Sequence, residues 1–192
     1  MMLKQIYIIA GCNGAGKTTA SFTILPEILN CKEFVNADEI AKGLSPFQPE
    51  KVAVQAGRLM LNRIKELLNE GINFAFETTL ATRSYRNTVL SAQKKNYHVT
   101  LLFFWLKDVT MAKKRVLSRV KEGGHYIDSH VIERRYTKGI QNLFKIYLPI
   151  VNSALIFDNS DDEPHLIAES NEKQLKIIDY PKFNNLKLYS DE

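Results

Sequence analysis

The chain has 192 residues, 45% of them hydrophobic and 24% charged, proportions that exclude a disordered or collagen-like polymer and fit an ordinary globular protein. That length favours one domain with a core large enough to stand without disulfide staples. The formal charge of +5 is spread along the chain, which suits an anionic ligand without arguing for nucleic acid. The two cysteines, Cys12 and Cys31, lack metal-ligand spacing and read as free thiols in a reducing cytosol. The apolar run near the N-terminus is too short for a signal segment, and "VTLLFFWL" is strand-sized. A cytoplasmic protein with no membrane contact is therefore expected.

Strand-like and helix-like segments alternate. Residues 5–11 read as a buried strand, and residues 17–29 as a helix interrupted by Pro26. "EFVNAD" reads as a short strand leading into a loop with Pro46 and Pro49. A long helix follows, with Pro49 in its first turn and Gly71 as its C-terminal cap. "INFAFET" is the next buried strand, "SYRNTVLSAQKKN" a helix and "YHVTLLFFWL" another strand. "VTMAKKRVLSRVKEGG" is a helix stopped by a glycine pair, residues 129–151 are again helical, and "ALIFDNS" reads as the strand that closes the sheet. Continuous apolar strands separated by helices predict an α/β fold with a parallel sheet covered on both faces. Beyond Asp161, "HLIAES" and "LKIIDY" around "NEKQ" predict a small hairpin, and the last residues read as a loose tail.

Gly11 to Thr18 matches G-x-x-x-x-G-K-[ST] between a predicted strand and a predicted helix, the context that a phosphate-binding loop requires. Glycines let backbone N–H groups turn inward around a phosphate, and the following helix points its positive end at the same anion. The expected nucleotide contacts are Gly11, Asn13, Gly14, Ala15, Gly16, Lys17, Thr18 and Thr19. Lys17 should bridge the β- and γ-phosphates of ATP, and Thr18 should ligate Mg²⁺.

The loop alone does not distinguish a motor, a switch and a kinase. The strand "LLFFWLKD" ends without the acidic pair expected of a motor, and neither an "LSGGQ"-type nor an "NKxD" segment is present. A kinase needs an acid beside the acceptor hydroxyl, an acceptor pocket and arginines around the transferring phosphoryl group. Asp38 in "VNADEI" is the candidate acid, with a helix N-cap as the other reading and Glu39 as the neighbouring fallback. Glu77, Thr78 and Thr79 leave the end of an apolar strand as acceptor contacts. The threonines read first as caps and second as acceptor contacts, and Arg83 could meet an acceptor phosphate. Arg115 and Arg119 share one helical face, and Arg134 and Arg135 follow the glycine pair, the layout of a helical lid over about residues 109–148. Ile132, Tyr136, Ile140, Leu143 and Tyr147 form one face there, so Arg135, on its flank, is better placed than Arg134. Arg115 reads as a solvated charge, and His125 as a loop residue that could touch a ligand. Asn159 and Ser160, after the last strand of the sheet, could flank an adenine or simply form an Asx turn.

Together "YIIAGCNGAGKTT", "NADEIAKGL", "FAFETTL", "RVKEGGHYIDSHVIERRY" and "IFDNS" resemble the zeta-toxin family of P-loop kinases in a short form. The resemblance implies a nucleotide-kinase-like P-loop domain over residues 1–160, with a C-terminal hairpin and tail over 161–192. It implies ATP and Mg²⁺ as cofactors, and phosphorylation of a hydroxyl of the amino sugar in UDP-N-acetylglucosamine. A cognate antitoxin protein is implied as a partner. Carried over to this chain, Lys17 meets the phosphates, Asp38 is the base and Glu77 touches the substrate. Arg119 and one of Arg134 or Arg135 steady the phosphoryl group. Two departures stand out: no second acid opens the long helix, and Arg83 lies two positions later than the family's substrate arginine. A kinase for another acceptor, such as a nucleic-acid end or a metabolite, and an ATP-dependent binding module remain the alternatives.

Overall fold

A computed structural model describes residues 3–124 and 126–190. Seven strands form one sheet in the order β2-β3-β1-β4-β5-β6-β7. Strands β1 (Lys4–Gly11), β2 (Glu33–Val35), β3 (Phe74–Thr78), β4 (Tyr97–Trp105) and β5 (Ser153–Asp158) are mutually parallel. Consecutive residues of β1 from Ile6 to Ala10 are all buried, so both faces of the sheet's centre are covered. The helices are α1 (Lys17–Thr23), α2 (Ala37–Leu44), α3 (Ala53–Glu70), α4 (Tyr85–Lys94), α5 (Val109–Lys121), α6 (Ser129–Asn142) and α7 (Tyr180–Leu188). Among the described residues no helix is long and apolar enough to cross a membrane.

This strand order places the phosphate loop where ligands of open α/β sheets gather. The chain leaves β1 toward β2 and β3 on one side, then crosses to β4 and β5 on the other. Between β1 and β4 the connections diverge, and the crevice at the carboxyl ends of these strands receives the loop after Gly11.

Three expectations change. The stretch after β2 is not a loop but α2, because Asn36 accepts from the N–H groups of Asp38 (2.8 Å) and Glu39 (3.4 Å) and nucleates a helix. Strand β5 does not close the sheet: the C-terminal hairpin, β6 (His165–Asn171) and β7 (Gln174–Ile177), continues it antiparallel from the β5 edge. The tail is no loose end either. Asp179 caps α7 by accepting from Lys182 N–H at 3.0 Å, and Phe183 and Leu186 are buried.

The two helices read as a lid are seated on the core. In α6 the residues Ile132, Tyr136 and Ile140 are buried, and Leu143 and Tyr147 continue that face through a wider π-type turn. Tyr136 accepts from Trp105 Nε1 (3.0 Å) and donates to Leu106 O (2.7 Å), tying α6 to the end of β4. The segment joining α5 to α6 carries Gly123 at φ +94°, and His125 lies outside the described residues.

Candidate active site

The phosphate loop is held from outside as well as by its own sequence. Gly16 has φ +79°, and a Cβ there would stand 2.5 Å from Asn159 Nδ2, so both conformation and space require glycine. Asn159 Nδ2 donates to Ala15 O at 2.7 Å. The amide that was a candidate for the adenine is therefore used to shape the loop. Asn13 is buried and accepts from Arg135 Nη1 at 3.1 Å. Cys12 is buried too, and burial pushes its thiol up to about 11, so it offers no thiolate for chemistry.

Lys17 is 6% exposed; its Nζ donates to Cys12 O at 2.9 Å and lies 3.5 Å from Glu77 Oε1. Glu77, at the tip of β3, also accepts from Thr18 Oγ1 (2.8 Å) and from Asn36 Nδ2 (2.9 Å). Glu77 is thus engaged with the phosphate loop, and it also lines the cavity that holds Asp38 and Thr79. Thr18 Oγ1 and Glu77 Oε2 form a pair of oxygen donors of the kind Mg²⁺ takes alongside substrate phosphates and water. These residues fit the metal. Asp108, past β4, is occupied as the N-cap of α5, accepting from Met111 N–H at 2.7 Å.

A cavity of about 140 Å³ lies against the loop, lined by Gly14, Gly16, Lys17, Thr18 and Thr19 together with Arg115 and Arg119. Arg119 thus faces the phosphates' cavity from α5. Arg115 is no solvated charge: it forks onto Asn159 O (Nη1, 2.8 Å) and Ser160 O (Nη2, 3.0 Å). A second cavity, of about 200 Å³, is lined by Asn36, Asp38, Glu77, Thr79, Thr82 and Arg135 among others. A third, of about 320 Å³, continues past Asp38 and Arg135 between α2 and the segment before α6. Asp38 is exposed and lines all three. A larger cleft of about 540 Å³ runs along β5, β6 and β7 from the amino-terminal end of β5, remote from the loop, and carries none of these residues.

Arg135 is half-buried; burial lowers its pKa, and the negative charge of Asp38 opposes that effect. Arg134 is exposed and lines none of these three cavities. Arg83 is also exposed and outside them, so the structure does not bring it to the site. Thr78 is buried and accepts from Leu80 N–H at 3.0 Å, which holds the turn after β3, and both Thr78 and Thr79 line the second cavity. That turn is fixed from α6 and the turn after it: Asn142 Nδ2 donates to Leu80 O (2.8 Å), and Tyr147 Oη donates to Thr82 O (2.8 Å). Gly139 lets α6 come close enough that an added Cβ would stand 2.6 Å from Thr79 O.

Sequence reasoning missed Asn36 and misjudged Arg115. The cap pattern N-x-D-E in front of an amphipathic stretch was the available signal for Asn36. No local signal marks Arg115, because its partners lie 44 and 45 residues away.

Known structures share this fold. The crystal structures of the AvrRxo1-ORF1:AvrRxo1-ORF2 complex with sulphate ions and with ATP match with TM-scores of 0.78 and 0.76, at 14% identity over 96% of this chain. This chain spans only 63% of the matched chain's length. The PezAT chromosomal toxin-antitoxin system of Streptococcus pneumoniae matches with a TM-score of 0.69, at 17% identity over 97% of this chain and 77% of that one. In sequence, a Haemophilus influenzae protein described only as uncharacterized is 26% identical over 136 residues, covering 71% of this chain and 95% of its own. The family model described as Zeta toxin matches residues 3–171, nearly the whole sheet and every cavity-lining residue named above for the site; the chain, with its P-loop kinase-like fold, belongs to the zeta toxin family.

Proposed function

We propose that the protein is an ATP- and Mg²⁺-dependent kinase that phosphorylates a hydroxyl of a UDP-amino sugar, with UDP-N-acetylglucosamine as the first acceptor to test. The observation that carries this reading is the position of Asp38 at the junction of the phosphate-loop cavity and the two cavities beyond it. A carboxylate there meets an acceptor hydroxyl on one side and a triphosphate on the other. Family membership supports the sugar nucleotide, and the ATP complex of a structural neighbour supports the donor.

The chemistry divides among named atoms. Lys17 Nζ, now paired with Glu77, exchanges that carboxylate for β- and γ-phosphate oxygens. Thr18 Oγ1 and Glu77 Oε2 would hold Mg²⁺, which when bound neutralises charge on those oxygens. Asp38 accepts the proton of the acceptor hydroxyl as its oxygen attacks the γ-phosphorus and the bond to the leaving ADP oxygen breaks. Arg119 from α5 and Arg135 from α6 flank the transferring group and stabilise its charge. Asn36 keeps Glu77 and the first turn of α2, which carries Asp38, in one frame. The two-protein PezAT system supports a cognate antitoxin as a partner of this chain.

The decisive experiment incubates the protein with ATP, Mg²⁺ and UDP-N-acetylglucosamine and follows the acceptor by mass spectrometry. Gain of one phosphoryl group supports the reading. No gain by any sugar nucleotide removes that acceptor class. ATP binding that survives Asp38→Ala, with no transfer to any acceptor hydroxyl, replaces the kinase with a binding module.

A further inference from the structure

The C-terminal helix α7 has no part in the reading above, and the family match ends at residue 171, before it begins. Its Lys182 nevertheless reaches into the protein. Nζ of Lys182 lies 2.8 Å from Oδ2 of Asp158, a carboxylate whose side chain is 4% exposed at the end of β5. The other oxygen of Asp158 accepts twice from Ser160: from N–H at 3.0 Å and from the hydroxyl at 2.5 Å. Ser160 Oγ in turn accepts from Lys107 N–H at 2.8 Å. Asn159, between them, is held by its N–H on Trp105 O (2.8 Å) and by its carbonyl on Arg115. Its side chain then holds Ala15 O of the phosphate loop.

We propose that α7 positions the phosphate loop, with Lys182 acting through Asp158 and Asn159 on the peptide between Ala15 and Gly16. This rests on the phosphate loop being the nucleotide site, as argued above, but on no particular acceptor. The physical steps are short. A trans peptide is planar, so drawing Ala15 O toward Asn159 directs the N–H of Gly16 to the opposite side. Gly16 lines the phosphate cavity, and inward N–H groups are what bind the anion. Residues 158–160 therefore act as a strut, and its foundation is a buried carboxylate. Removing Lys182 leaves that carboxylate buried without the cation, and the strut relaxes to relieve it. Burial pushes the Asp158 carboxyl up, yet its bonds from Lys182 and then Ser160 outweigh this and hold it below the usual range, in line with a charged foundation. Helix α7 is a firm anchor for the lysine: Phe183 packs edge-on against Phe144, and the N–H groups of Ile178 and Asp179 donate to Ile167 O.

The test is calorimetric titration with Mg²⁺ and a non-hydrolysable ATP analogue, with no acceptor present. Lys182→Met should bind roughly tenfold more weakly than wild type, the scale of one lost charge-assisted bond. Lys182→Arg should restore most of the affinity, which loss of α7 packing alone would not permit. Asn159→Ala, which breaks the last tie and leaves no buried charge, should weaken binding at least as much. The double variant should be no weaker than Asn159→Ala alone, because both act on the same peptide. Wild-type affinity in folded Lys182→Met, or in Asn159→Ala should the former fail to fold, overturns the strut. Additive losses in the double variant overturn the relay. Absence of nucleotide binding by wild type itself would instead overturn the kinase reading.

Discussion

In the phosphate loop the functional atoms are already held by other parts of the chain, whereas across the same cavity Asp38 stands exposed. Ala15 O, Asn13 Oδ1, Lys17 Nζ and Thr18 Oγ1 each have a partner, drawn from β3, α6, the loop itself and the segment after β5. Asp38 donates its backbone N–H to Asn36 Oδ1, and the exposed residue lines three cavities. In the proposed kinase, a held phosphate-loop side and an open Asp38 side would suit a ligand common to many enzymes on one side and a variable one on the other. Preorganised N–H groups cost no reorganisation when the anion arrives. A carboxylate that must take a proton needs access first.

Substitutions on either side can break this contrast. The largest effect is expected for Lys17→Ala, which should reduce phosphoryl transfer by about 10³-fold or more, since it removes the cation between the phosphates. An end-point transfer assay measures it, and appreciable residual activity would remove the loop from the chemistry. Next comes Asp38→Asn, expected to lower kcat by about 10² to 10⁴-fold while nucleotide affinity stays within about twofold. Comparable losses in both would mean that the donor and acceptor sides are not separable.

Arg135→Ala should then lower kcat by about 10²-fold, and Arg134→Ala by little, because only Arg135 reaches Asn13 and the cavities. Equal losses would make the difference in their positions irrelevant. Gly139→Ala is expected to cost about 1–3 kcal/mol of stability, read as a lowered Tm, because the new methyl group meets Thr79 O and must push α6 from the turn beside the acceptor cavity. An unchanged Tm would show that this contact yields freely.

The smallest effect concerns pH. The Asp158 carboxyl is held below its ordinary value, so its contribution to stability is present above the unfolded pKa and fades as pH falls through the folded one. Lys182 is raised, chiefly by its bond to Asp158; its contribution is full below the unfolded lysine pKa and fades as pH rises through the folded one. Lys182→Met should therefore lower Tm most at intermediate pH, where both partners are charged, and converge on wild type toward the acid and alkaline ends, measured as Tm against pH. A profile parallel to wild type would show that the pair adds no pH-linked stability.

Local patterns were legible wherever the chain's own neighbours do the work. The strand–glycine-loop–helix unit, the long helix between Pro49 and Gly71, and the buried stripe from Ile132 to Tyr147 depend on spacing of a few residues. Helix α2 was hidden because its cap, Asn36, was passed over for Asp38 two positions later. Helix α7 was hidden because its amphipathic character is weak, and its place depends on Phe144, Ile167 and Asp158 from elsewhere in the chain.

The sequence by itself determined a phosphate loop, a parallel α/β sheet and the residue types of a kinase site, because these are written in periodicity and in motifs of short span. Only the tertiary structure decided which of those side chains meet. It turned Glu77 toward Thr18 and Lys17, spent Asn159 on Ala15, set Arg115 beneath the loop, brought in Arg135 and left Arg83 outside. Those choices rest on contacts between residues far apart in the chain, and the direction in which a side chain turns is settled by which partner the folded sheet brings within reach.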